Sequence, residues 1–219
     1  MEQDAVWRAI DDQRLSLAAL FDDLSADEWE RASLCEGWRV RDVAAHLTLA
    51  QTGFRGALPG LLRARGSLDR MIRDSAIRQA ALPVESYAAL LRDMVGSRGK
   101  APVISHLEPL IDVLVHGQDI AIPLSRTRPM PADAAVAAAA RVWPSLWPFR
   151  AGRRLAGMRL VATDHAWNAG EGLLVEGPIS ALLLVMTGRR AALPLLTGPG
   201  VPKIEARMAK ARNSPRGKR

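Results

Sequence analysis

Four polar side chains stand against an apolar background: Asp112, His116 and Asp119 in one segment and His46 in another. Ser105, Glu108, Asp112, His116 and Asp119 follow one another at spacings of 3, 4, 4 and 3 residues, which puts them on one stripe of a helix. The rest of that helix is Val103, Ile104, Leu107, Leu110, Ile111, Val113, Leu114, Val115 and Ile120, so it is predicted to be central and buried. A buried aspartate or histidine must be paired, hydrogen-bonded or bound to a metal, because an isolated buried charge is very costly. At i and i+4, Asp112 and His116 have Cβ atoms about 5–6 Å apart. Both can therefore point at one ion, which a carboxylate oxygen and an imidazole nitrogen reach at about 2.0–2.2 Å if it is zinc. His46, in Asp42-Val-Ala-Ala-His46-Leu47, supplies a third ligand from a second apolar helix, and facing helices of a bundle commonly build metal sites this way. Three protein ligands leave a coordination position open for chemistry. Asp119, one turn beyond His116, is placed to accept the second ring proton or to hold a water. A plainer reading uses the same residues: Asp112 and His116 as an ordinary i,i+4 hydrogen-bonded pair and His46 as a satisfied core histidine. Spacing alone leaves both open.

The other candidates are weaker. His106 and His165 sit near predicted element edges and read as surface or turn residues. Cys35 precedes the Glu36-Gly37-Trp38 turn with no basic cluster close by in sequence, so a structural role is expected of it rather than that of a reactive thiol. Trp38, just before a helix, reads as a packing anchor for the helix entry.

These residues require a particular scaffold. Trp7, Ile10, Leu15, Ala18, Leu20 and Phe21 recur at helical spacing, predicting a helix over about 3–23. Ser25 with Glu28 is a capping-box pattern that starts a short helical turn carrying Trp29. A long helix is predicted from Val40 to about Leu62, with Phe54 on its apolar side, and a more polar one near Leu68–Ala80. Another follows Pro83 and carries Tyr87, Leu90, Leu91 and Met94. The His116 helix runs from about Val103 to Ile122, and an alanine-rich helix from Pro131 to before Pro144. Then the period changes. Gly157–Thr163 and Leu173–Glu176 read as strands, and Pro178–Thr187 as a helix ended by Gly188. The fold class is α+β: a helical bundle over 1–150, a small α/β domain over 151–212, and a disordered basic tail over 213–219, with the boundary near Trp147–Leu155 where Pro144, Pro148 and Gly152 punctuate the chain.

Charge does not point to a partner. The formal net charge is +7 over 219 residues, yet residues 203–219 hold seven basic side chains against one acid, so the body is nearly neutral. No aromatic residues interleave with the basic ones in this tail, and nucleic acid is not expected as a partner. The most apolar run, Ile179–Met186, is far shorter than the ~20 residues of a membrane span. The acidic N-terminus has no apolar stretch behind it and does not read as a signal peptide. One cysteine cannot form an intrachain disulfide, and a cytoplasmic protein is expected. Association between copies is left open.

Three segments carry a family resemblance. Cys35-Glu-Gly-Trp-Arg-Val-Arg-Asp-Val-Ala-Ala-His46-Leu47 resembles the Gly-Trp-x-Val-x-Asp-x-x-x-His-Leu segment of the mycothiol-dependent maleylpyruvate isomerase family, within the DinB-like metal-binding bundles. Asp112-Val-Leu-Val-His116-Gly-Gln-Asp119 resembles its second motif. Leu160-Val-Ala-Thr-Asp164-His-Ala-Trp167, Val175-Glu-Gly-Pro178 and Leu184-Val-Met-Thr-Gly-Arg189 resemble its C-terminal part. The resemblance implies a DinB-like four-helix bundle with a small α/β domain, a divalent metal (usually zinc) at His46, Asp112 and His116, and mycothiol as the thiol cosubstrate. It also implies activation of that thiol for attack on a small electrophile, by isomerisation or S-transfer. By the same resemblance the isomerase proper has Glu at the Asp112 position; the shorter Asp changes reach, which bears on the maleylpyruvate reaction more than on metal binding. Asp119 and Arg189 are the catalytic candidates, Arg189 as a cation for a substrate carboxylate or, equally, as a basic helix C-terminus. A metal-binding bundle without catalysis, serving as a small-molecule binding or regulatory protein, is the alternative.

Overall fold

The computed structural model describes residues 1–49, 68–100, 105–146 and 148–213. The expectations for 50–62 (Phe54 included), for the helix start at Val103 and for the tail from residue 214 on lie outside the described residues. The chain divides into two compact units, Met1–Pro129 and Met130–Arg219.

In the first unit, α1 spans Gln3–Asp22 and buries Val6, Trp7, Ile10, Leu17, Ala18 and Phe21 along one stripe. The short α2, Ala26–Glu30, is started by the capping box. Glu28 donates its backbone N–H to Ser25 Oγ at 3.3 Å, and Ser25 N–H returns one to Glu28 Oε2 at 2.9 Å. Helices α3 (Val40–Thr48), α4 (Leu68–Gln79), α5 (Ser86–Asp93) and α6 (Leu107–Ala121) complete the unit among the described residues. Helix α1 packs on α5 and α6, and α3 packs on α4, α5 and α6. The result is a DinB-like four-helix arrangement of α1, α3, α5 and α6. Buried residues lie all round α6, as its composition requires. No helix among the described residues is long and apolar enough to cross a membrane.

The second unit opens with α7 (Ala132–Val142) and the short α8 (Ala151–Arg154). Strands β1 (Met158–Ala162), β2 (Asn168–Ala169) and β3 (Leu173–Gly177) form a sheet in the order β2-β1-β3, with β2 antiparallel and β3 parallel to β1. Helix α9 (Ile179–Met186), almost wholly buried, packs on the sheet and on α7. A 3-10 turn at Arg190–Leu195 leads to α10, Val201–Asn213. At the start of β3, Gly172 has φ +121°, and a Cβ there would lie 2.2 Å from Gly157 O, so no other residue fits without moving backbone.

Two features differ from the expected pattern. The compact units divide at Pro129/Met130 rather than near 150, because buried Ala134, Ala135, Ala138 and Ala139 let α7 lie against α9. Part of the basic excess assigned to a tail sits in α10, where Arg207 donates to the carbonyls of Arg154 and Ala156 at 3.1 and 2.8 Å. Those carbonyls are the unpaired acceptors at the end of α8, and a basic side chain satisfies them.

Candidate metal centre

Helix α6 carries the polar stripe. His116 is half-buried, and Asp119 is completely buried. His116 Nδ1 lies 2.8 Å from Asp119 Oδ2. That contact fixes the ring and commits Nδ1, leaving Nε2 as the nitrogen available to a ligand. On α3, the ring of His46 stands 5.0 Å from that of His116 at 81°, edge to face. The donor atoms of His46, Asp112 and His116 all lie within 4.8 Å of one another. Trp38 packs on the His46 ring at 5.5 Å, so the residue at the helix entry also borders the site. Between the two functional residues of His116-Gly-Gln-Asp119, the middle pair is structural. Gly117 lets the buried Arg128 guanidinium lie against α6, since a Cβ there would be 2.7 Å from Arg128 Nη1. Gln118 Nε2 donates to Arg128 O at 2.7 Å.

The Asp42 of the first motif is also explained. It accepts from the Arg39 backbone N–H at 2.8 Å and from the Arg39 guanidinium at 3.0 Å, closing the N-terminus of α3. Burial opposes its charge, but Arg39 holds the carboxyl below the usual range.

Cys35, expected to be structural, lies beside the site. Its Sγ lies 3.1 Å from Asp119 Oδ2 and 3.6 Å from His116 Nδ1. The loop that carries it is closed by a bridge between Ala32 and Arg39, by Ser33 N–H to Trp38 O (2.9 Å) and by Trp38 N–H to Cys35 O (3.0 Å). Leu34 N–H donates to Asp119 O at 3.1 Å, docking the loop on α6. A second donor set, Cys35, His116 and Asp119, therefore shares His116 with the first.

Residues 10–102 match the protein-family model described as Mycothiol maleylpyruvate isomerase N-terminal domain. The first motif of the resemblance lies inside that match. Among solved structures, the chain is similar to the mycothiol-dependent maleylpyruvate isomerase, 13% identical over 91% of this chain and 93% of that one, with a TM-score of 0.64. It is also similar to a single-substitution mutant of the mycothiol-dependent maleylpyruvate isomerase, 14% identical over the same shares, with a TM-score of 0.61. At these identities the two structures show a shared fold. No curated protein matches the chain. The isomerase N-terminal domain match takes in Cys35, Trp38, Asp42 and His46 and ends before α6. Arg189, in the second unit, follows α9 and donates from Nη1 to Thr187 O at 2.7 Å, a contact that suits a helix C-terminus.

The two histidines of the bundle are shifted in opposite directions. Burial first, then the neighbouring His116, pushes His46 down to about 4, with Asp112 only partly compensating. Burial also opposes a charge on His116, but the hydrogen bonds of Asp119 and Cys35 outweigh it and raise it to about 10. Metal-free protein at neutral pH thus holds a neutral His46 beside a protonated His116. For His46 the folded value lies below the ordinary 6.5, so on acidification the unfolded chain takes up this proton first. Its contribution to stability is complete above pH 6.5 and is lost as pH falls toward 4. Urea unfolding of metal-free protein across that window should show a loss of about 3 kcal/mol relative to a His46→Asn variant, whose profile lacks this component.

Proposed function

We propose that the chain is a metal-dependent enzyme of the mycothiol-dependent maleylpyruvate isomerase type. It holds a divalent ion, zinc by the chemistry of the donors, at His46, Asp112 and His116. It uses mycothiol as cosubstrate on a small electrophile, in an isomerisation or an S-transfer. The observation that carries this reading is the convergence of two imidazoles and one carboxylate within 4.8 Å. Two nitrogens and an oxygen with a position left open are the donor set of a catalytic zinc site. His46 is neutral, so a ring lone pair is free for an ion; Asp119 orients His116, which gives up its Nε2 proton to solvent when the ion binds. When bound, such an ion lowers the pKa of a thiol at the open position.

The chain's own residues supply the rest. Asp119 accepts the Nδ1 proton and keeps His116 from rotating. Trp38 packs against the His46 ring and limits its movement. Asp112 is one carbon shorter than the Glu expected of the isomerase proper, which changes the reach at the ligand position and keeps both isomerisation and S-transfer in view. The single cysteine fits a cytoplasmic setting.

The test is elemental analysis of the purified protein, followed by calorimetric titration of mycothiol into the zinc-loaded and zinc-free forms. Stoichiometric zinc, with mycothiol binding only to the loaded form, is expected. Protein that stays metal-free after zinc addition sinks the reading. Zinc without mycothiol binding favours the non-catalytic metal-binding alternative.

A further inference from the structure

We propose that Cys35, His116 Nδ1 and Asp119 form a second metal site, selective for thiophilic ions, which shares the His116 ring with the His46–Asp112 set. This goes beyond the His46 reading and does not rest on it. The three donor atoms are already close to the edges of a coordination tetrahedron. Bonds of about 2.0 Å to nitrogen and oxygen and about 2.3 Å to sulfur require N···O near about 3.3 Å and S···N and S···O near about 3.5 Å. The observed separations are 2.8 Å for Nδ1···Oδ2, 3.6 Å for Sγ···Nδ1 and 3.1 Å for Sγ···Oδ2. Each donor therefore moves by about half an ångström or less to admit an ion.

The supports are in place. Asp119 is completely buried on a central helix. The Cys35 loop is tied to that helix by Leu34 N–H to Asp119 O, so the sulfur is held over the carboxylate by backbone. Cys35 is only half-buried, so the site is not sealed at that residue. Thiolate favours soft or borderline ions such as Cd2+, Zn2+ and Cu+, whereas two imidazoles and a carboxylate make a harder set. Binding exchanges the thiol proton of Cys35 and the Nδ1 proton of His116 for the ion, and both protons are released to solvent. It also ends the Nδ1–Asp119 hydrogen bond that steadies His116 in the first set. The two sets are therefore competitors, and a thiophilic ion is an antagonist of the His46-bound one.

Cobalt titration of the full chain, with a phosphine as reductant, reads the site directly, because thiolate–Co2+ coordination has a near-ultraviolet charge-transfer band that nitrogen and oxygen ligands lack. The band should be present in wild type and in His46→Ala, and lost in Cys35→Ser and His116→Ala, with Cd2+ displacing the cobalt and removing it. Far-ultraviolet circular dichroism checks each variant's fold, and the wild-type spectrum decides even if a variant fails to fold. No band in wild type at excess cobalt overturns the proposal, and so does a band unmoved by Cys35→Ser. Loss of the band in a folded His46→Ala protein shows one merged site and also overturns it. Failure of the His46 reading shows separately, as zinc binding that His46→Ala leaves unchanged while the thiolate band persists.

Discussion

Replacing His116 with alanine is expected to remove stoichiometric metal from the protein and to lower the stability of the metal-free form by about 1–3 kcal/mol. No other single substitution should do both, because His116 is the one residue common to the two donor sets. Without it, each set falls to two donors. His46→Ala disturbs only one set, and Asp119→Asn weakens the support of His116, for which a loss of about 10–100-fold in affinity is the usual scale. The stability term has a separate origin. Asp119 is fully buried and its carboxylate accepts the His116 Nδ1 hydrogen bond at 2.8 Å; truncation leaves that oxygen short of a charged donor in a place where water does not replace it. His116→Asn separates the effects, since its amide can still donate toward Asp119. It should recover part of the stability while remaining without metal. Elemental analysis gives the first quantity and urea unfolding in chelator the second. Full retention of zinc by His116→Ala would remove the basis for either donor set.

The stripe that carries His116 was legible because helical spacing is a local property. Residues 3 and 4 apart share a face whatever surrounds the helix, so Asp112, His116 and Asp119 could be placed on one helix from their numbers alone. The capping box at Ser25 is local in the same sense, and it forms as the pattern implies. Cys35 was not legible, because nothing periodic connects it to His116, 81 residues away. Its position follows from a loop closed by Ser33, Trp38 and Ala32–Arg39 contacts and docked through Leu34, and such closure is tertiary. The only hint was its place in a segment ending in His46. The unit boundary was hidden for a related reason. Alanine packs closely against whatever helix approaches it, so the composition of α7 states that it has a partner without saying which. The basic helix α10 was obscured by its charge, since helix formation there depends on neighbours such as Arg154 and Ala156 accepting from Arg207 as much as on an apolar face.

Trp29→Ala is expected to destabilise the helical unit by about 3–5 kcal/mol and to free the Cys35 loop. A five-residue helix such as α2 cannot stand by itself in water; it stays because Trp29, 4% exposed, is set into the core. Its ring meets Phe21 of α1 at 5.3 Å and 60°, and Tyr87 of α5 at 5.7 Å. Truncation removes all of that contact and opens a cavity that helices fixed on other sides cannot fully close. Set against a total of about 5–15 kcal/mol for a folded domain, the loss is large, and for a chain of this size it lowers Tm on the order of 10 °C. The connection to the site is covalent and short. Arg31 leaves α2 two residues after Trp29, its carbonyl accepting from Val40 N–H at 2.9 Å, and Glu30 accepts from Arg39 and Arg41 at 2.8 Å each. These contacts set where the loop begins and ends, so once α2 is loosened Cys35 relies more on the α6 side, where Leu34 N–H and Cys35 Sγ meet Asp119. Alkylation of Cys35 by iodoacetamide should therefore be faster in Trp29→Ala than in wild type. In Trp29→Phe, which keeps a ring between Phe21 and Tyr87, it should stay near the wild-type rate. A fall in Tm with no change in the alkylation rate would show that the loop is held from the α6 side alone.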